Sequence, residues 1–228
     1  MSFKKNYETV LSNIEKAKEK SPYHQDVTLV AVTKTYEADI INSAIDQGIT
    51  HIGENRVQEI QKKYPEVKNT GKVDWHLIGS LQTNKVKYII DKVSLIHSLD
   101  RYDLAKEINK RALSIDKVQD CLIQVKISDE ESKRGLAMED CSHLIKSCLE
   151  DFSNIRIRGL MGMAPYFDDS EETRQYFSKL KELFDETKDS HSAGDHFDTL
   201  SMGMSNDYTI AIEEGATMVR IGSALFSD

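Results

Sequence analysis

Val27-Thr-Leu-Val-Ala-Val32, then a charged segment of helical period, then Ile49-Thr-His-Ile52: this unit decides the fold, because it recurs along the whole chain. Further short runs rich in β-branched residues follow at 73–78, 93–96, 121–127, 155–160, 197–201 and 217–221. Each has the length and composition of a buried strand. Between them, apolar residues recur at helical spacing, as at Val86, Ile89 and Ile90, at Leu104, Ala105 and Ile108, and at Tyr176, Phe177, Leu180, Leu183 and Phe184. Alternating strands and helices imply right-handed βαβ units and a parallel sheet. Eight such units in one short chain predict a closed α/β barrel of the (β/α)8, TIM type, formed as a single domain over 1–228. An open doubly wound sheet is the alternative, which eight consecutive units fit less well.

Glycine placement agrees with this reading. Gly48 and Gly215 come just before strands 2 and 8, where helix C-caps are expected, and Gly53, Gly79, Gly162, Gly203 and Gly222 come just after strands. Ahead of the first strand, Tyr7, Val10, Leu11, Ile14 and Ala17 mark an extra N-terminal amphipathic helix from about 3 to 20, ended before Ser21-Pro22. The chain runs only to Asp228 beyond Gly222, so no helix is expected after strand 8, and the opening helix is expected to cover that gap.

The 228 residues are 39% hydrophobic and 30% charged, the balance of a globular chain that buries roughly 70% of its unfolded surface. Lys and Arg number 30 against 38 Asp and Glu, a formal charge of -8, with 7% aromatics. That charge repels nucleic acid and anionic membrane surfaces alike. No stretch approaches the roughly 20 apolar residues of a membrane helix, and the N-terminus lacks a signal-peptide core, so a cytoplasmic location is expected. Cys121, Cys141 and Cys148 form no Cys-x-x-Cys pair and have no close-spaced metal-ligand partner. They read as buried thiols in a reducing compartment, with no metal site.

In such a barrel the active face is formed by the C-terminal ends of the strands, and phosphate groups are commonly held by the loops after strands 7 and 8. Strand 7 runs into Ser201-Met-Gly-Met-Ser205 and a helix expected near Asn206, while strand 8 runs into Ile221-Gly222-Ser223. Small residues leave amides accessible, hydroxyls donate, and a helix N-terminus favours an anion. The pair suits a phosphate-bearing ligand, although glycine and serine also make ordinary turns. Strand 1 ends in Thr33-Lys34-Thr35. Lys34 either snorkels to solvent or stands in the barrel mouth, where a neutral amine can attack an aldehyde. A mouth lysine opposite a phosphate cradle offers the two handles of pyridoxal 5′-phosphate (PLP). Arg220 is placed to face the ligand ring, where it would weaken the ring as an electron sink, or else pairs with a strand carboxylate. Asn55 and His76 point to the same end, and a lone strand histidine is also a common structural residue.

Six segments occur in one order: Ala31-Val-Thr-Lys34-Thr, Gly53-Glu-Asn55-Arg-Val-Gln-Glu59, His76-Leu-Ile-Gly79-Ser-Leu-Gln-Thr-Asn84-Lys85, Leu160-Met-Gly-Met-Ala-Pro165, Leu200-Ser-Met-Gly-Met-Ser205 and Val219-Arg-Ile-Gly222. Together they resemble the YggS/PROSC family of PLP homeostasis proteins, related to the N-terminal barrel of bacterial alanine racemase, over essentially the whole chain. The resemblance implies that Lys34 carries PLP as a Schiff base, that Ser201, Gly222 and Ser223 hold the phosphate, and that Arg220 faces the pyridine nitrogen. It also implies that Asn55 and His76 line the cofactor pocket. Thr33 stands where serine is common, Ser223 where threonine is common, and Arg56 where an aromatic is common, which leaves the contact of Arg56 open. Ser132-Lys133-Arg134-Gly135-Leu136 is similar to a family motif after strand 5; its basic residues face solvent or form a second anion site, the former being favoured.

The family has no established reaction. Racemisation needs a base on each face of the substrate, and alanine racemase draws its second base, a tyrosine, from a C-terminal domain without counterpart here. The expected function is therefore intracellular PLP (vitamin B6) homeostasis, in which a monomer buffers the aldehyde or delivers it to PLP-dependent apoenzymes without catalysing a reaction. The alternative is a PLP-dependent racemase or lyase acting on a small amino acid, with Tyr36 or His76 as second base. A plain interaction module, which would bind no cofactor, is the third reading.

Overall fold

All eight expected strands form, in a computed structural model that describes residues 3–68, 70–128, 134–190 and 196–227. They are β1 (Thr28–Val32), β2 (His51–Glu54), β3 (Asp74–Leu77), β4 (Leu95–Leu99), β5 (Gln119–Val125), β6 (Ile155–Gly162), β7 (Thr199–Ser201) and β8 (Met218–Ile221). Each runs parallel to its neighbour, and β8 pairs with β1 through Leu29–Val219 and Val30–Arg220, closing the barrel. The helices are α1 (Phe3–Lys20), α2 (Ala38–Asp46), α3 (Val57–Lys63), α4 (Tyr102–Leu113), α5 (Cys141–Asp151), α6 (Arg174–Asp189), α7 (Tyr208–Glu213) and α8 (Ser223–Phe226).

Side chains alternate across each strand, so the core divides in two. Outward-facing Ile52, Leu77, Ile96 and Leu200 pack against the helices in a continuous layer that includes Ile41, Ile108 and Phe177. A separate, smaller cluster of Val30, Leu95, Leu122, Met161 and Met218 fills part of the barrel interior. Gly48 (φ +107°) and Gly215 (φ +93°) stand just past the C-caps of α2 and α7, at the helix ends expected for them, and both adopt the left-handed conformation.

Two expectations need correction. The apolar set Val86, Ile89 and Ile90 belongs to a 3-10 segment, Thr83–Tyr88, and the turn after it rather than to an α-helix. The residues are buried all the same, but a short segment ending in adjacent β-branched side chains favours a tight turn over regular helix. After β8 a single helical turn, α8, does fit. Its last carbonyls find donors on α1, where Asn6 Nδ2 donates to Leu225 O (3.1 Å) and Ser227 O (2.9 Å). As expected, α1 covers this side of the barrel, burying Val10, Ile14 and Ala17, with Asn13 Nδ2 donating to the Tyr208 hydroxyl (3.0 Å).

The three cysteines are free and buried. Burial pushes the Cys141 and Cys148 thiols up to about 12 and that of Cys121 well above its ordinary value. Among the described residues no helix is long and apolar enough to cross a membrane, and no cluster of residues fit to hold a metal is present.

Candidate functional site

The loops at the C-terminal end of the barrel surround a cavity of about 610 Å³. One wall is the turn after β1. The Tyr36 amide donates to Thr33 O (3.0 Å), which leaves Lys34 exposed at the rim with its side chain lining the cavity. This turn is pinned from beneath. Lys63 of α3, only 1% exposed, donates from Nζ to Thr33 O (2.9 Å) and Glu54 Oε1 (2.9 Å) and pairs with Glu59 (3.0 Å). Thr33 Oγ1 also donates to Glu54 Oε1 (2.6 Å). Burial raises the Glu54 carboxyl, opposed by these bonds from Thr33 and Lys63. A buried pair of this kind adds little net stability but fixes geometry, here that of the Lys34 backbone.

Asn55, directly after β2, forms the adjacent wall. Its place depends on Gly79, where any Cβ would lie 2.1 Å from Asn55 O, so only glycine lets the loops after β2 and β3 touch. Opposite stand the loops after β7 and β8. Ser205 Oγ accepts from the amides of Gly222 and Ala224, each at 3.2 Å, and Asp207 Oδ1 accepts from the Met204 amide (2.6 Å). First-turn amides lack acceptors within their own helix, so here they converge on one point beside Ser223 and Asn206, which also line the cavity.

Arg220 reaches the cavity floor from inside the barrel, 3% exposed. Instead of a strand carboxylate it bonds Ser201 Oγ from Nη1 (2.6 Å) and Gly162 O from Nη2 (3.0 Å). Burial lowers its pKa to about 10, against the attraction of Asp207, so it remains a cation at neutral pH.

Of the seven residues expected at the site, Lys34, Asn55, Arg220, Gly222 and Ser223 line this cavity. His76 and Ser201 lie behind it. His76 is buried between His51 (3.1 Å) and His97 (2.9 Å), and Ser201 bridges His97 (3.1 Å) and Arg220. Burial, with His51 adding repulsion, pushes His76 down to about 3, and His97 falls well below its ordinary value. Arg56 and Arg134 are exposed, while Lys133 falls outside the described residues. Sequence alone singles out neither Ser205, although it sits within the anion-suited loop after β7, nor Met163 and Tyr166 after β6. His51 and His97 escape notice too, although three successive strands each carry one histidine.

A rim lysine, a converging set of amides and hydroxyls, and a buried guanidinium between them mark a (β/α)8 barrel with a cavity of small-ligand size at its C-terminal mouth. The model of the alanine racemase N-terminal domain family matches residues 6–228, and the chain belongs to that family. A pyridoxal phosphate homeostasis protein of Aquifex aeolicus is 46% identical over 220 residues, covering 96% of this chain and 95% of that protein. The solved structure of PipY from Synechococcus elongatus with PLP bound matches with a TM-score of 0.84 at 30% identity, over 99% of this chain and 100% of that one. An unknown protein from Bifidobacterium adolescentis gives 0.89 at 32% identity, over 98% and 94%.

Proposed function

We propose that this protein binds PLP in the barrel mouth and acts in PLP homeostasis, holding the cofactor on Lys34 and handing it to apoenzymes. The observation that carries this reading is the placement of Lys34 and the Ser205, Gly222 and Ser223 cradle on walls of one cavity, whose size suits a small cofactor. When bound, PLP supplies an aldehyde that joins a lysine amine reversibly, with loss of water. Lys34 is open to solvent, so water and incoming amines reach it, which suits uptake and release. The Ser205 and Ser223 hydroxyls, with the backbone at Gly222, would hold the phosphate. Arg220, a cation at neutral pH on the cavity floor, would face the ring of the bound cofactor, and a guanidinium beside the pyridine nitrogen would keep a proton off it and weaken the ring as an electron sink. Neither residue considered as a second base reaches the cavity: His76 is enclosed, and the Tyr36 ring packs on Phe226 (4.7 Å). Tyr166 does line the wall, but at 74% exposure it stands largely in solvent. A monomer in the cytoplasm completes the reading.

Borohydride reduction followed by peptide mapping tests it. A phosphopyridoxyl group on Lys34, and PLP transfer to an apoenzyme faster than release into solution allows, are the expected results. Absence of that adduct after incubation with excess PLP overturns the cofactor assignment. Turnover of a D- or L-amino acid that disappears in Lys34→Ala replaces the carrier with an enzyme.

A further inference from the structure

Barrel interiors of this type are normally filled by apolar layers, yet a row of polar side chains crosses this one. His51 on β2, His76 on β3, His97 on β4 and Ser201 on β7 lead to Arg220 on β8. The links are His51 Nδ1 to His76 Nε2 (3.1 Å), His76 Nδ1 to His97 Nε2 (2.9 Å), His97 Nδ1 to Ser201 Oγ (3.1 Å) and Arg220 Nη1 to Ser201 Oγ (2.6 Å). His76, His97, Ser201 and Arg220 are all within 3% of complete burial. His51 alone in the row meets solvent, its side chain 28% exposed beside a small cavity of about 260 Å³ under α1. Facing it are Asp74 Oδ2 at 3.8 Å, itself bonded to Ser94, the ring of His76, and Tyr7 of α1 across that cavity. Asp207 is the carboxylate that acts on Arg220 at the other end.

A neutral imidazole has one donor and one acceptor, so the sense of one bond in the row dictates the next. If Ser201 donates to His97 Nδ1, then His97 and His76 both donate from Nε2 and the row points toward His51. If His51 carries hydrogen on Nδ1, His76 and His97 donate from Nδ1 and the row points toward Ser201. A protonated His51 has hydrogen on both nitrogens and enforces the second arrangement, which the nearby Asp74 favours. Arg220 donates to Ser201 Oγ in either case. An oxygen that also donates to His97 is the better polarised acceptor, whereas one accepting from both partners divides its lone pairs.

We propose that this row is one coupled unit through which His51, at the far end of the barrel, positions Arg220 in the cavity. What Arg220 faces, the pyridine nitrogen, rests on the PLP reading above, but the coupling along the row does not. All three histidines are held below their ordinary pKa by burial, so the row is neutral at neutral pH, and His51, the least buried, is protonated first on acidification.

Histidine 1H–15N spectra of the full chain freed of PLP, recorded from about pH 8 down to about pH 5, read the row directly. The expected result is that His76 and His97 exchange their protonated nitrogen from Nε2 to Nδ1 over the pH range in which His51 gains its proton, and that His51→Gln abolishes the exchange. Fixed tautomers at His76 and His97 throughout that range overturn the proposal. With PLP loaded, the visible band of the wild type is expected to shift over the same range, and in His51→Gln to stay fixed while the Lys34 adduct is retained. A band that shifts equally in both proteins also overturns the link to Arg220. Failure of the wild type to form the Lys34 adduct defeats the cofactor reading instead, while the tautomers read in the PLP-free protein still decide whether the row is coupled.

Discussion

The mouth of the barrel and the interior just beneath it are built on opposite terms. At the mouth, Lys34 is exposed, Tyr166 is 74% exposed, and the loops after β7 and β8 are held by backbone amides that donate to Ser205 Oγ and Asp207 Oδ1. Beneath it, the apolar cluster around Leu122 and the inner part of the histidine row, His76 and His97, are sealed, with Leu122 and His97 both at 0% exposure. The difference assigns binding mostly to side chains whose loss the fold tolerates, and stability to side chains that no ligand meets, with Arg220 alone of the buried row reaching the cavity.

Substitutions that cross this division should separate the two regions, in descending order of their effect on stability. Leu122→Ala opens a hole in the interior cluster and is expected to cost about 2–5 kcal/mol in chemical denaturation while PLP still forms its adduct. Loss of the adduct in the folded variant would mean that the interior contributes directly to binding. Gly79→Ala forces a Cβ to within 2.1 Å of Asn55 O, so the loops must separate. About 1–3 kcal/mol of destabilisation is expected, together with weaker PLP retention, and a neutral outcome would show that this close approach is dispensable.

Acid should act on the interior before the mouth. His76, held at about 3 against an ordinary 6.5, and His97, also far below, stay neutral in the fold while the unfolded chain takes up protons on both. The unfolded state then binds more protons, so stability falls as pH drops below about 6.5, by up to about 1.4 kcal/mol per pH unit for each histidine. Glu54, raised by burial, opposes this at lower pH. Unfolding curves at stepped pH that show no loss between about pH 6.5 and about pH 5 would contradict the neutral row. Ser205→Ala removes the acceptor for two amides and is expected to cost about 1 kcal/mol, with faster PLP release measured by dialysis. Lys34→Ala should leave stability within about 0.5 kcal/mol and abolish the adduct altogether, since its side chain packs on nothing in the core. A large loss of stability there would erase the contrast.

The outer architecture was legible because outward-facing strand residues and inward-facing helix residues are both apolar, so each element announces itself by period. The interior was less so. The apolar pattern of the fourth run stops at Ile96, broken by His97-Ser98, but β4 continues to Leu99 with every residue buried. Inside a barrel a polar side chain can face inward if its bonds are met there, and those partners sit on strands distant in sequence, as Ser201 is from His97. Lys34, Gly222 and Ser223 were readable because strand ends map directly onto the mouth. Lys63 was not, since a helix lysine normally looks outward, and only the fold brings it under Thr33.

The thiols give this molecule a built-in clock. Cys121 lies on β5, and Cys141 and Cys148 on the helix after it, all buried and held as neutral thiols by their surroundings. A protein proposed to carry a reactive aldehyde cofactor thereby keeps its own sulfur nucleophiles away from its cargo. The same burial means that a thiol reagent marks these positions only when β5 and α5 part, so labelling rates time the opening of that quarter of the barrel while the mouth goes on exchanging ligand.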